Sequence, residues 1–146
     1  MAQGEKLMLL RMYALTAIVL ALKMAAISIV QGQARTSSKT FTNPEDAKTF
    51  GGQLATAEAP MVERASKAWR NDLENIPIFM IIAWAYVAAA LGAVAFSIYC
   101  IVFMVARIFH TIFYLEALQP WRTIAYTVGA LTMLAMMIHL FVGFVV

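Results

Sequence analysis

The sequence predicts an all-α integral membrane protein built as a bundle of four transmembrane helices, and three observations carry that reading. Of its 146 residues, 62% are apolar and 13% charged, against about 45–50% and about 25% in a soluble domain. The apolar residues gather into runs long enough for the roughly 20-residue helices that cross a bilayer. The charges, 11 Lys and Arg against 8 Asp and Glu for a net +3, sit mostly between those runs or near their edges. This composition excludes an ordinary soluble domain and a disordered chain, and the length allows one domain.

The first helix is expected over about residues 7–30, an apolar segment that carries Arg11 and Lys23. That run is too long for the core of a signal peptide, and no clean small-residue cleavage site precedes Gln31–Gln33, so it reads as a retained helix. Residues of about 31–59 read as a polar loop. Within it, Asn43-Pro44-Glu45-Asp46 has the form of a helix start: Asn43 as cap, Pro44 in the first helical position, acids in the first turn. Gly51-Gly52 ends that short helix. Pro60 opens the second long helix, about 60–90, whose first turns are charged through Glu74 and which becomes apolar at Ile76. Pro77 predicts a kink there. The run Ile76–Leu115 contains one full charge, Arg107, and one histidine, His110. It is too long for a single span, and Gly92 divides it, which places the third helix at about 94–115. Gln119-Pro120 restarts the chain for the fourth, about 120–145, with His139 near its far end.

Loop charges predict orientation. Residues 31–75 hold six Lys and Arg (Arg35, Lys39, Lys48, Arg64, Lys67 and Arg70). Only Lys6 precedes Leu7, and the Gly92 turn and the C-terminus have none. The positive-inside rule then puts the 31–59 loop and the Glu116–Arg122 connection in the cytosol and both termini on the opposite side, of a bacterial inner membrane or an endoplasmic reticulum. One cysteine, Cys100, and two histidines exclude a disulfide framework and a metal cluster, so no metal is expected. No basic patch interleaved with aromatics suits nucleic acid. Cys100 and His139 read as structural, and the ten methionines as packing.

Three helices each present a polar face at that cytosolic depth. Helical spacing aligns Glu63, Lys67, Arg70, Asn71 and Glu74 on the second, Arg107, His110, Thr111 and Tyr114 on the third, and Arg122, Tyr126 and Gly129 on the fourth, with Thr123 beside Arg122. Glu63, Arg64 and Lys67 suit a solvated or snorkelling face. For Arg70, Asn71 and Glu74, structural pairing and ligand binding both stand. A charge inside a span costs at least about 2.5–3.5 kcal/mol, so Arg107 needs a partner or ligand, with Glu74 one candidate partner. His110 reads as an interhelical hydrogen bonder or a ligand contact, and Tyr114 and Tyr126 as interface-belt aromatics or site residues. Such a site lacks a serine–histidine–acid set and a phosphate-cradling glycine loop. Arginines take carboxylates and a carboxylate takes an α-ammonium, so a small zwitterion with several carboxylates fits.

Several segments resemble the MAPEG superfamily, the membrane-associated proteins in eicosanoid and glutathione metabolism. They are Val62-Glu63-Arg64 with Ala68-Trp69-Arg70-Asn71-Asp72-Leu73-Glu74-Asn75-Ile76-Pro77-Ile78-Phe79, then Ala106–Leu115, then Gln119-Pro120-Trp121-Arg122-Thr123 with Tyr126. Gly32–Arg35 and Phe41–Ala47 are similar to it as well. The likeness runs from about Lys23 to about Leu131, nearest to the branch of type-one microsomal glutathione transferases and microsomal prostaglandin E synthases. It implies a homotrimer with glutathione at the subunit interfaces. Carried over by motif, Arg70, Asn71, Glu74, His110, Tyr114, Arg122, Thr123 and Tyr126 would hold glutathione, with Arg35 and Lys23 coming from a neighbouring subunit. Arg107 and Asp46 match positions linked to the site. Arg122 would stabilise the thiolate, and Thr123 stands where the prostaglandin synthase branch has serine. The polar loop lacks the cysteine through which the mammalian transferase is activated, so that regulation is not implied.

The resemblance thus implies a glutathione transferase with peroxidase activity. Glutathione would be its cosubstrate, and lipophilic electrophiles or lipid hydroperoxides would reach it among the membrane lipids. A prostaglandin E synthase-type isomerase and a non-catalytic lipid-binding member are the alternatives. A channel or transporter is disfavoured, because the charges cluster near one face instead of tracking across the membrane.

Overall fold

A computed structural model describes residues 3–145. Four long helices, α1 (Gln3–Ser38), α3 (Pro60–Ala89), α4 (Ala93–Leu115) and α5 (Trp121–Val145), are each long and apolar enough to cross a membrane. Between α1 and α3 lies a small cap made of β1 (Thr40–Phe41), the short helix α2 (Pro44–Phe50) and β2 (Gln53–Leu54). β1 and β2 run parallel, with Thr40 opposite Gln53 and Phe41 opposite Leu54.

The first helix does not stop at Val30. It continues through the polar stretch Gln31–Ser38, which contains no proline and whose Thr36 and Ser38 hydroxyls donate to carbonyls three and four residues back. Lys39, at φ 48°, breaks the helix. Asn43 stands at the start of α2 in an extended conformation, but its side chain does not cap the helix. Its amide nitrogen donates to Asp46 Oδ2 at 3.0 Å. Gly51, at φ 65°, closes α2 in the left-handed region. Gly52 packs so tightly on Phe41 that an added Cβ would lie 2.4 Å from its ring and 2.5 Å from the Lys39 carbonyl.

α3 starts at Pro60 and runs unbroken through Pro77 to Ala89. The turn into α4 is minimal. Ala90 takes the left-handed conformation and its N–H bonds back to Tyr86 and Val87, and Gly92 adopts φ 105°, which L side chains rarely reach. Between α4 and α5 the N–H groups of Glu116, Ala117 and Leu118 bond back into the last turn of α4.

α1 packs on α3 and α4, and α5 on α4 and α3. The core joins Leu9 and Leu20 of α1, Phe79, Ala83 and Tyr86 of α3, Phe96, Cys100 and Phe103 of α4, and Met136 of α5. The Phe79 and Phe103 rings stack, 3.8 Å apart and 4° from parallel. α1 and α5 bury few residues, and their outward faces carry Leu15, Ile18, Leu22, Leu131, Ile138 and Phe141, as helices that face lipid do.

Candidate functional site

The site grows from the phase of α3. Val62, Ala65, Ala68, Asp72, Ile76, Phe79 and Ala83 recur at helical spacing and form its buried stripe. Asp72 is the one charge on that stripe and is fully buried. Its partners reach it from two other helices. Arg107 of α4, 1% exposed, donates through Nε and Nη2 to Asp72 Oδ1 at 3.1 and 2.7 Å. Lys23 of α1 donates to Asp72 Oδ2. Arg107 Nη2 also donates to the amide oxygen of Asn71. Glu74, the acid that spacing alone offered to Arg107, is exposed. It lies two residues, about 200°, round the helix from Asp72, so Asp72 takes its place.

Next to this charged knot the helices leave a cavity of about 210 Å³ lined by Asn71, His110, Tyr114, Arg122, Thr123 and Tyr126. α4 supplies His110 and Tyr114 one turn apart, their rings 5.7 Å from centroid to centroid. α5 supplies Arg122, Thr123 and Tyr126, and the Tyr126 ring is 6.0 Å from that of His110. The Arg122 guanidinium carbon lies 4.5 Å from the centre of the Tyr114 ring, a cation–π contact. Gln119 fixes it further: with its amide oxygen turned to Arg122 it accepts from the guanidinium, and its nitrogen donates to Thr123 Oγ1 at 3.0 Å. His110 Nδ1 is buried and has no hydrogen-bond partner among the described residues.

Six of the residues that the motifs singled out therefore meet in one cavity. Arg107 stands behind it, and Lys23 pairs with Asp72 of its own chain. The rest lie elsewhere. Arg70 and Glu74 are exposed, and among the described residues neither forms a salt bridge. Glu63 and Lys67 pair with each other at 2.6 Å on the outside of α3. Arg35 pairs with Glu58 of its own chain at 2.8 Å, and Glu58 also accepts from Thr42. Asp46 stays in the cap with Asn43. Asp72, Gln119 and Glu58 were missed. For Asp72 the signal was present, a lone charge in the apolar stripe of α3.

Lys23, Asp72 and Arg107 place two cations against one carboxylate, and Arg122 adds a third cation nearby. The cavity is thus a positive, hydrogen-bonding environment inside an apolar bundle, suited to an anionic ligand. Among the described residues no three of His, Cys, Asp and Glu come together as a metal ion would require.

Fold and cavity together define an integral membrane protein of four long apolar helices with an arginine-bearing polar pocket near one end. The model of the MAPEG family matches residues 13–142. The chain is 34% identical to prostaglandin E synthase of Homo sapiens over 129 residues, covering 88% of this chain and 85% of the relative. It is 33% identical to prostaglandin E synthase of Bos taurus, covering 88% and 84%. Against microsomal glutathione S-transferase 1 of Rattus norvegicus it is 41% identical over 133 residues, covering 86% and 83%. The chain belongs to the MAPEG family.

Proposed function

We propose that the protein is a membrane-bound glutathione transferase with glutathione peroxidase activity. It binds the tripeptide in the cavity of Asn71, His110, Tyr114, Arg122, Thr123 and Tyr126. The observation that carries this reading is the setting of Arg122, held over the Tyr114 ring and against Gln119 at the wall of that cavity. A free thiol has a pKa near 8.5 and is only a few per cent ionised at neutral pH. An arginine beside the sulfur in a partly dry site favours the thiolate, and a lowering of about two units corresponds to about 2.7 kcal/mol. Thr123 adds a hydroxyl next to Arg122. The thiolate attacks an electrophilic carbon and displaces its leaving group. With a lipid hydroperoxide, two glutathiones are oxidised to the disulfide while the hydroperoxide becomes an alcohol and water.

The name of the rat relative supports glutathione as cosubstrate. The family likeness supports a homotrimer, in which a neighbouring copy would cover the exposed Arg70 and Glu74 and bring Arg35 to the same ligand. Asp46, by its match to the family motif, is read as supporting the site. The loop charges support a pocket that opens to the cytosol with both termini opposite.

The test is conjugation of glutathione to a chloronitrobenzene by the purified protein. Turnover is expected, with a loss of about a hundredfold in Arg122→Ala. Unchanged turnover in that variant would contradict the role given to Arg122. A second reading, an isomerase acting on an endoperoxide with the same thiolate, draws on the prostaglandin E synthases among the relatives. Product analysis with an endoperoxide substrate separates the two.

A further inference from the structure

Asn71 shows how the charged knot reaches the cavity. Its side-chain oxygen accepts from Arg107 Nη2, and the guanidinium can only donate. The amide is therefore held with its oxygen turned inward and its two N–H donors left for the cavity that Asn71 lines. Arg107 has no freedom to release it. Two of its bonds go to Asp72 Oδ1, and the other oxygen of Asp72 is taken by Lys23. A carboxylate with both oxygens engaged, fully buried and tied to α1 and α4 at once, is a rigid anchor.

We infer that Asp72 is a positioning residue: through Arg107 it sets the polarity of the Asn71 amide, so that the cavity meets a hydrogen-bond donor suited to a ligand carboxylate or carbonyl. The inference rests on the proposed function for the identity of that ligand. It assigns no contact between Asp72 and the ligand. It also ties α1 to the pocket within a single chain, since Lys23 completes the anchor from that helix.

Two sets of variants test this by calorimetric titration of glutathione into the purified protein. In the first, Asn71→Asp keeps the shape of the side chain and its acceptor toward Arg107 but replaces the N–H donors with a second acceptor. It is expected to weaken glutathione binding more than Asn71→Ala does. Binding as tight as in the unmutated protein would mean that an oxygen faces the ligand and would overturn the inference. In the second, Lys23→Met with Asp72→Asn keeps the net charge of the cluster unchanged and leaves an amide oxygen at position 72 as an acceptor for Arg107. This pair is expected to weaken binding about tenfold, and to add less than about twofold in the Asn71→Ala background. Equal losses in both backgrounds would show that Asp72 acts through general structure and would overturn the positioning role. Absence of glutathione binding by the unmutated protein would overturn the proposed function together with this inference, whereas the other contrary results overturn the inference alone.

Discussion

At one end of the bundle Lys23, Asp72 and Arg107 bury three charges beside a polar cavity. At the other, Tyr86 and Tyr99 place their hydroxyls 3.1 and 3.2 Å from His139 Nδ1, and Tyr86 also reaches the Leu91 carbonyl at 3.3 Å. The second cluster contains no Lys, Arg, Asp or Glu, and Tyr86 and Tyr99 are both edge-on to the His139 imidazole. Hydrogen bonds among these rings join α3, α4 and α5 there. Charges in the same setting carry a large desolvation penalty, and a well-packed apolar replacement is often as stable or more so. Their presence next to the cavity therefore marks a requirement beyond folding.

Five variants break or sharpen that contrast. The largest effect is expected from Asp72→Leu. It leaves Lys23 and Arg107 buried without their carboxylate, and a loss of about 3–5 kcal/mol should appear as a collapse of thermal stability in detergent. Replacing all three charges at once, as Lys23→Met, Asp72→Leu and Arg107→Met, should restore stability while glutathione binding stays weak. Restored binding in that triple variant would mean that the charges serve folding alone. Next comes Arg122→Ala, whose expected hundredfold loss of turnover corresponds to about 2.7 kcal/mol of transition-state stabilisation, with little change in melting temperature. His139→Phe should lower stability by about 1 kcal/mol and leave glutathione binding unchanged, since its cluster lies at the far end. A binding defect there would break the division between the two ends. The smallest effect is expected from Lys67→Ala, which removes an exposed pair on the outside of α3 and should shift neither stability nor activity measurably.

The four long helices were legible because span length and apolar content are set by the bilayer itself. The turn at Gly92 followed from length alone, and the structure shows why it can be so short: Ala90 and Gly92 both take positive φ. The end of α1 is not legible in the sequence, because a change to polar residues at Gln31 does not by itself end a helix. Residues 31–38 are polar but contain no proline, and the helix continues through them to Ser38. Six residues of the cavity were legible in the motifs of the third and fourth helices and in Asn71. The partner of Arg107 was not, because polar residues on α3 were grouped by their own spacing, which traces the exposed side. The apolar stripe gives the buried side, and Asp72 lies on it. Pairings such as Arg35 with Glu58 and Gln119 with Arg122 depend on loop paths that periodicity does not encode.

The central claim is that the cavity round Arg122 binds glutathione. The most direct measurement is calorimetric titration of glutathione into the purified protein in detergent. Saturable binding that weakens sharply in Arg122→Ala but not in His139→Phe is the expected result. Equal binding in all three proteins, or no binding in the unmutated one, would contradict it.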